Sequence, residues 1–215
     1  MAITAKICGL NDPASVDAAV SNGAAYMGFV FYPSSPRAVT PGQAHDLAVP
    51  IPATVKKVGL FVDPDDALLS SVLVDVTLDM IQLHGGEAPS RVAEVKSLTG
   101  LPILKAIKIA KAVDFDEAHG FADIADMLLF DAKAPKDLAD ALPGGNGLVF
   151  DWNLLTNRHW KCPWMLSGGL DADNVTQAIE ISRAGAVDVS SGVEHRPGAK
   201  DPARIKAFLD AVGAL

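Results

Sequence analysis

The sequence predicts an α/β fold, a single (β/α)8 barrel of near minimal size over residues 1–215. Three observations carry this expectation. Extended apolar runs alternate strictly with helix-like segments, which argues for a parallel sheet. There are eight such runs and no G-x-G-x-x-G after the first, which favours a closed barrel over an open doubly wound sheet. No Ser/Gly-rich linker or low-complexity segment divides the chain, and 215 residues suit one sizeable domain.

The first run spans 3–8. Asn11-Asp12-Pro13 follows, then the helical spacing Val16, Ala19, Val20. Asp12 suits an N-cap, and Pro13 suits the first helical position, where a missing N–H does no harm. An acid or hydroxyl before proline recurs at Thr40-Pro41, Asp63-Pro64 and Asp201-Pro202, each between an extended run and a helix-like one. Further strands are expected at 26–31, 55–62, 80–83, 103–107, 127–130, 164–166 and 187–189. Helices are expected at about 12–22, 41–48, 64–74, 87–98, 111–119, 171–183 and 201–212. The stretch 135–160 gives no clear pattern beyond a short helix at 152–155.

The chain is 49% hydrophobic, ample for a core, and carries a net charge of -8. That acidity argues against nucleic acid as a partner, though backbone amides and local cations still bind a small anion in an acidic protein. The two cysteines, Cys8 and Cys162, form no CxxC pair, so no metal site is expected and a reducing compartment is implied. Residues 1–8 lack a basic-then-apolar leader pattern, and no apolar stretch nears the ~18 residues of a membrane span. A cytoplasmic protein without a membrane partner is expected, as a monomer or a homodimer.

In such a barrel the site lies where strands end and loops begin. Lys6 and Cys8 alternate onto one face of the first strand, so an inward Cys8 stands at the mouth with a cation one layer below. A thiol there is a base or nucleophile if its pKa is lowered, and otherwise a small buried hydrophobe. Phe31 through Arg37 forms a proline-stiffened loop whose one arginine suits a carboxylate. Gln82 and His84 share a face after the fourth strand, and a buried polar pair there needs partners or a ligand. Asp131 follows an apolar run, a setting that suits a general acid as well as a capping aspartate. Small turns at Ser167-Gly168-Gly169 and Ser190-Ser191-Gly192 lie where barrels seat a phosphate. Asp188 shares a face with Ser190 and is expected to point inward, towards a substrate hydroxyl or Lys6. Thiol, acid, arginine and anion site together suggest proton shuffling on a phosphorylated sugar, with no cofactor needed.

At these residues the sequence resembles the phosphoribosylanthranilate isomerases of tryptophan biosynthesis, which are TIM barrels. The matching segments are Lys6-Ile7-Cys8-Gly9, Phe31 through Arg37, Val58 through Val62, Gln82-Leu83-His84-Gly85, Phe150-Asp151-Trp152 and Ser167-Gly168-Gly169-Leu170. Asp188-Val189-Ser190-Ser191-Gly192-Val193-Glu194 and Pro197-Gly198-Ala199-Lys200-Asp201 complete the set. The resemblance implies Cys8 as general base at the sugar C2, Asp131 as general acid at the ring oxygen, and Arg37 on the anthranilate carboxylate. It implies a phosphate at Gly168-Gly169 and Ser191-Gly192. The family usually has threonine where Asn146 stands before Phe150-Asp151-Trp152; asparagine keeps a hydrogen-bonding side chain, and retained activity is expected. The alternatives are a related ribose-phosphate isomerase or epimerase barrel, and a non-catalytic phosphate-binding barrel.

Overall fold

A computed structural model describes residues 2–135 and 142–215. Eight parallel strands close into a barrel in chain order: β1 Thr4–Cys8, β2 Tyr26–Val30, β3 Lys56–Phe61, β4 Met80–Leu83, β5 Ile103–Ile109, β6 Met127–Ala132, β7 Trp164–Leu166 and β8 Ala186–Val189. The seam is β1 on β8, where Lys6 pairs with Asp188. The helices are α1 Pro13–Ser21, α2 Pro41–Ala48, α3 Asp66–Asp75, α4 Pro89–Thr99, α5 Asp116–His119, α6 Val175–Ser182 and α7 Pro202–Gly213. Three-residue-per-turn helices cover Ala112–Phe115, Trp152–Leu155 and Ser191–Val193. Within the stretch left without a pattern, 136–141 lies outside the described residues. Among the described residues, no helix is long and apolar enough to cross a membrane.

The period-two alternation of the strands sorts the core into two sets. Outward residues such as Ile7, Phe29, Phe61, Ile81, Phe130 and Val187 pack under the helices. Inward residues Leu104, Ala106, Met127, Leu129, Met165 and Ala186 fill the floor of the barrel. Above that floor the interior turns polar, with Lys6, Gln82 and Asp188 buried.

The expected caps form at three helices. Asp12 accepts from Ser15 N at 3.0 Å, Thr40 and Gln43 make a reciprocal capping box, and Asp201 accepts from Ala203 N at 2.9 Å. The fourth differs: Asp65, directly after Asp63-Pro64, caps α3 at Leu68 N. Asp63 instead adopts a left-handed φ of 46° and bonds Gly86 N at 2.8 Å, so its proline precedes the helix rather than opening it. β6 runs on to Ala132, which places Asp131 inside the sheet. A hairpin of β9 Glu194–Arg196 and β10 Ala199–Lys200 follows β8; strands this short leave no periodic signature in sequence.

One buried pair locks the loops after β3 and β4. Lys105 Nζ donates to Glu87 Oε2 at 2.6 Å and to Gly85 O at 2.9 Å, while Glu87 Oε1 accepts from Asp63 N at 2.9 Å and Gly85 N at 3.0 Å. Burial alone would raise the Glu87 carboxyl; the Lys105 ammonium and backbone donors outweigh it and hold the carboxyl below its usual value. Its contribution is therefore present above the unfolded-state pKa and is lost as pH falls through the lowered folded one. Lys105→Met should cost about 3–5 kcal/mol in denaturant unfolding, because it strands a buried carboxylate, and Lys105→Met/Glu87→Gln should recover part of it. A single variant as stable as the parent would show that the pair does not hold these loops.

Candidate active site

The strand ends open into a cavity at the mouth of the barrel. Cys8, Arg37, His84, Asp131, Asp188 and Ser191 all line it. Ser167, Gly168, Gly169, Gln82 and Ser190 do so too, whereas Gly192 does not.

Below the mouth, Lys6 is fully buried and donates from Nζ to Asp188 Oδ1 at 2.7 Å. Ser167 Oγ donates to Asp188 Oδ2 at 3.0 Å, so both carboxylate oxygens are engaged within the protein. Burial opposes charge on Lys6, but Asp188 and then Cys8 outweigh it and raise its pKa. Cys8 is 4% exposed and sits against Val30 and Leu60. Burial pushes its thiol above the ordinary value; Lys6 pulls it back, Asp188 pushes it up again, and Lys200 pulls more weakly. The condition of a lowered pKa is thus not met in the free site, because desolvation exceeds the pull of a lysine already shared with Asp188.

On the β4 and β6 side, Gln82 Nε2 lies 2.9 Å from His84 Nδ1, and His84 Nε2 lies 3.1 Å from Asp131 Oδ2. With Gln82 donating to Nδ1, the imidazole carries its proton on Nε2, towards Asp131; this tautomer follows from the network. Asp131 Oδ1 accepts from Ala132 N at 2.9 Å, and the inward set Gln82, His84 and Asp131 forms one chain. Gln82 Oε1 is buried and has no partner among the described residues.

The segment 142–148 passes over this chain. A Cβ at Gly144 would stand 2.6 Å from His84 Nε2 and 2.9 Å from Asp131 Oδ2, so only glycine lets the backbone come this close. Asn146 ties the segment to itself, accepting from Leu142 N at 3.0 Å and donating to Leu142 O at 2.8 Å. Its amide serves the loop rather than His84 or Asp131.

Arg37 is placed differently from the free clamp its loop suggests. Its Nε and Nη2 grip Glu194 at 2.7 and 2.9 Å, and Nη2 also donates to Gly145 O at 3.1 Å. Lys200 Nζ holds the same carboxylate at 2.8 Å and reaches Ser190 O at 2.9 Å. Both cations, outweighing burial, keep the Glu194 carboxyl below its usual value, while burial lowers Lys200 despite Glu194. The fork is therefore filled by the protein, and Nη1 is the end of Arg37 without a protein acceptor among the described residues.

The two small turns behave unevenly. Gly168 and Gly169 have φ of 94° and 60°, a conformation that favours glycine. Among the described residues, the N–H groups of Gly168, Gly169, Ser191 and Gly192 have no protein acceptor. The hydroxyls of Ser167 and Ser190, both expected at a phosphate, are committed elsewhere: Ser167 to Asp188, Ser190 to Cys8 O at 3.1 Å. Gly192 serves packing, since a Cβ there would overlap the Leu170 carbonyl.

Residues 5–211 match the family model for N-(5'-phosphoribosyl)anthranilate isomerase. The chain belongs to this family. It is 58% identical to the isomerase of Paracoccus denitrificans over 97% of this chain and 96% of that one. It is 55% identical to that of Rhodospirillum centenum over the whole of both. Among solved structures it superposes on the Thermotoga maritima isomerase with a TM-score of 0.88 at 34% identity, covering 99% of this chain and 100% of that one. A second solved isomerase, at TM-score 0.84 and 32% identity over the same shares, was captured with reduced 1-(o-carboxyphenylamino)-1-deoxyribulose 5-phosphate. Membership of the family displaces the readings of a related ribose-phosphate enzyme and of a non-catalytic barrel.

Sequence reasoning gave no role to Glu194 or Lys200, and it left open how the loop of Gly144-Gly145-Asn146-Gly147 meets substrate or Asp131. The first two stand in motifs that carry the resemblance, but nothing in their spacing says that they meet Arg37 and Ser190. Asn146→Ala should speed amide hydrogen exchange across 142–147 while global stability moves by about 1–2 kcal/mol at most, two hydrogen bonds being removed. Unchanged exchange there would show that the amide does not close the loop.

Proposed function

We propose that this barrel isomerises N-(5-phosphoribosyl)anthranilate to 1-(2-carboxyphenylamino)-1-deoxyribulose 5-phosphate, with Cys8 as base and Asp131 as acid. The observation that carries the reading is a thiol, a carboxyl group and N–H groups without a protein acceptor among the described residues, all facing one cavity in a chain of this family. Asp131 gives its proton to the furanose ring oxygen; the C1–O bond breaks, and the nitrogen lone pair forms C1=N. The Cys8 thiolate then takes the C2 proton, and the C–H electron pair becomes C1=C2 as the nitrogen recovers its own. Protonation at C1 and loss of the C2 hydroxyl proton give the ketone.

The phosphate is assigned to the N–H groups of Gly168, Gly169 and Ser191, which suit an anion because they come as close to it as a bare backbone allows. Arg37 meets the anthranilate carboxylate end-on through Nη1, with Glu194 fixing its plane. Asp188 and Gln82 act from below, Asp188 by holding Lys6 and Gln82 by holding His84; His84 steadies Asp131. Two unpaired thiols fit a reducing, cytoplasmic setting. A related solved structure is of monomers generated from the dimeric Thermotoga maritima isomerase, at 33% identity and a TM-score of 0.83. Sedimentation of this chain will distinguish a monomer from a homodimer.

Loss of anthranilate ribotide, followed by fluorescence, tests the roles. Cys8→Ala and Asp131→Asn should each slow turnover by about 10²–10⁴-fold with the fold intact. Because burial raises the Cys8 pKa, the rate of Cys8 alkylation should still climb with pH from 7 to 9 rather than level off. Near-parental turnover in either variant would remove its role, and an alkylation rate already level at pH 7 would contradict the raised thiol.

A further inference from the structure

Cys8 as a base needs a charge against which its thiolate forms, deep in a barrel whose desolvation works the other way. The cavity wall around it is apolar on one side, with Val30, Leu60 and, packed on them, Tyr32 and Val62. The charged groups that reach it are Lys6 beneath it on β1, Asp188 beside it on β8 and Lys200 from β10. His84 and Asp131 line the same cavity but are bonded to one another. Of the two cations, Lys200 is spent on Glu194 and Ser190.

β2 supplies the decisive detail. Cys8 pairs in register with Gly28, an inward position on that strand. A Cβ at Gly28 would stand 3.0 Å from Cys8 Sγ and 3.1 Å from Lys6 Nζ. Its φ is not left-handed, so no backbone demand asks for glycine here. The bare α-carbon keeps a gap in the barrel wall, and thiol and ammonium both border that gap.

We propose that Lys6 is the activating residue of this site: Asp188 tethers its ammonium, and the missing side chain of Gly28 leaves it facing Cys8 as counter-charge to the thiolate. The proposal rests on the reading of Cys8 as base and adds what makes that base available. Lys6 acts through Cys8 and is a positioning residue, one layer below the chemistry. Gly28 is the companion specificity of the sequence, since any larger residue fills the gap.

The test is the pH profile of Cys8 carbamidomethylation by iodoacetamide, read on the Cys8 peptide by mass spectrometry so that Cys162 does not contribute. An opposite charge at this range lowers a pKa by about 1–3 units, so Lys6→Met should move the apparent pKa up by about one unit or more. Alkylation at pH 7.5 should then fall about tenfold. Gly28→Ala keeps both charges and should shift the alkylation profile in the same direction. Should Lys6→Met fail to fold with Asp188 stranded, Lys6→Met/Asp188→Asn replaces it, with a smaller shift of the same sign. A merely structural Lys6 would change stability and leave the alkylation profile in place. A parental profile in folded Lys6→Met or in the double variant overturns the proposal. Failure of the base reading looks different: Cys8→Ala would then turn over normally while the Lys6-dependent alkylation shift persists.

Discussion

The Lys6–Asp188 pair at the β1–β8 seam is the constraint on which the rest of the site depends. A fully buried ammonium is tolerated only with a close, oriented partner, since an unpaired charge there would cost several kcal/mol. Its position marks a change in the barrel. Beneath it the interior is filled by Leu104, Leu129, Met165 and their neighbours, and above it by groups that carry protons or charge. Asp188 spends both oxygens downward and sideways, on Lys6 and Ser167, and this commitment ties the last two strands to the first.

From that seam the polar contacts run outward in two chains. One passes from Cys8 O through Ser190 to Lys200, Glu194 and Arg37, so the hairpin after β8 braces the loop after β2. The other passes from Gln82 through His84 to Asp131. Segment 142–148 joins them from above, with Gly145 O on Arg37 and Gly144 against His84 and Asp131. Among the described residues, the polar groups at the mouth without a protein partner include Arg37 Nη1, Gln82 Oε1 and the N–H groups of Gly168, Gly169 and Ser191; the proposed ligand sets its carboxylate on the first and its phosphate on the last three.

The barrel was legible because its evidence is repeated and local: period-two runs, capped helices and strict alternation. Cys8, Asp131, Gln82, His84 and Asp188 were legible for the same reason, since strand parity alone puts them inside. Contacts between distant segments were not. Nothing near Arg37 in sequence announces Glu194, 157 residues away, and nothing in the run around Lys105 announces a partner in the loop after β4. The partners of the Ser167 and Ser190 hydroxyls, Asp188 and Cys8 O, were not legible because parity gives the face of a residue but not which neighbour competes for its proton. The direction of the Cys8 shift escaped for a related reason: desolvation is a property of the assembled barrel, and one visible lysine was an incomplete account of it.

The central claim is that one cavity sets Cys8 and Asp131 about the reacting end of a ligand whose phosphate rests on the turns after β7 and β8. A crystal structure of this chain with reduced 1-(o-carboxyphenylamino)-1-deoxyribulose 5-phosphate tests it most directly. The account predicts Cys8 Sγ within about 3–3.5 Å of the ligand C2, the separation of a near-attack arrangement. It also predicts the phosphate on the N–H groups of Gly168, Gly169 and Ser191, and the carboxylate at Arg37 Nη1. A ligand seated with its phosphate away from those turns, or with C2 out of reach of Sγ, would contradict it.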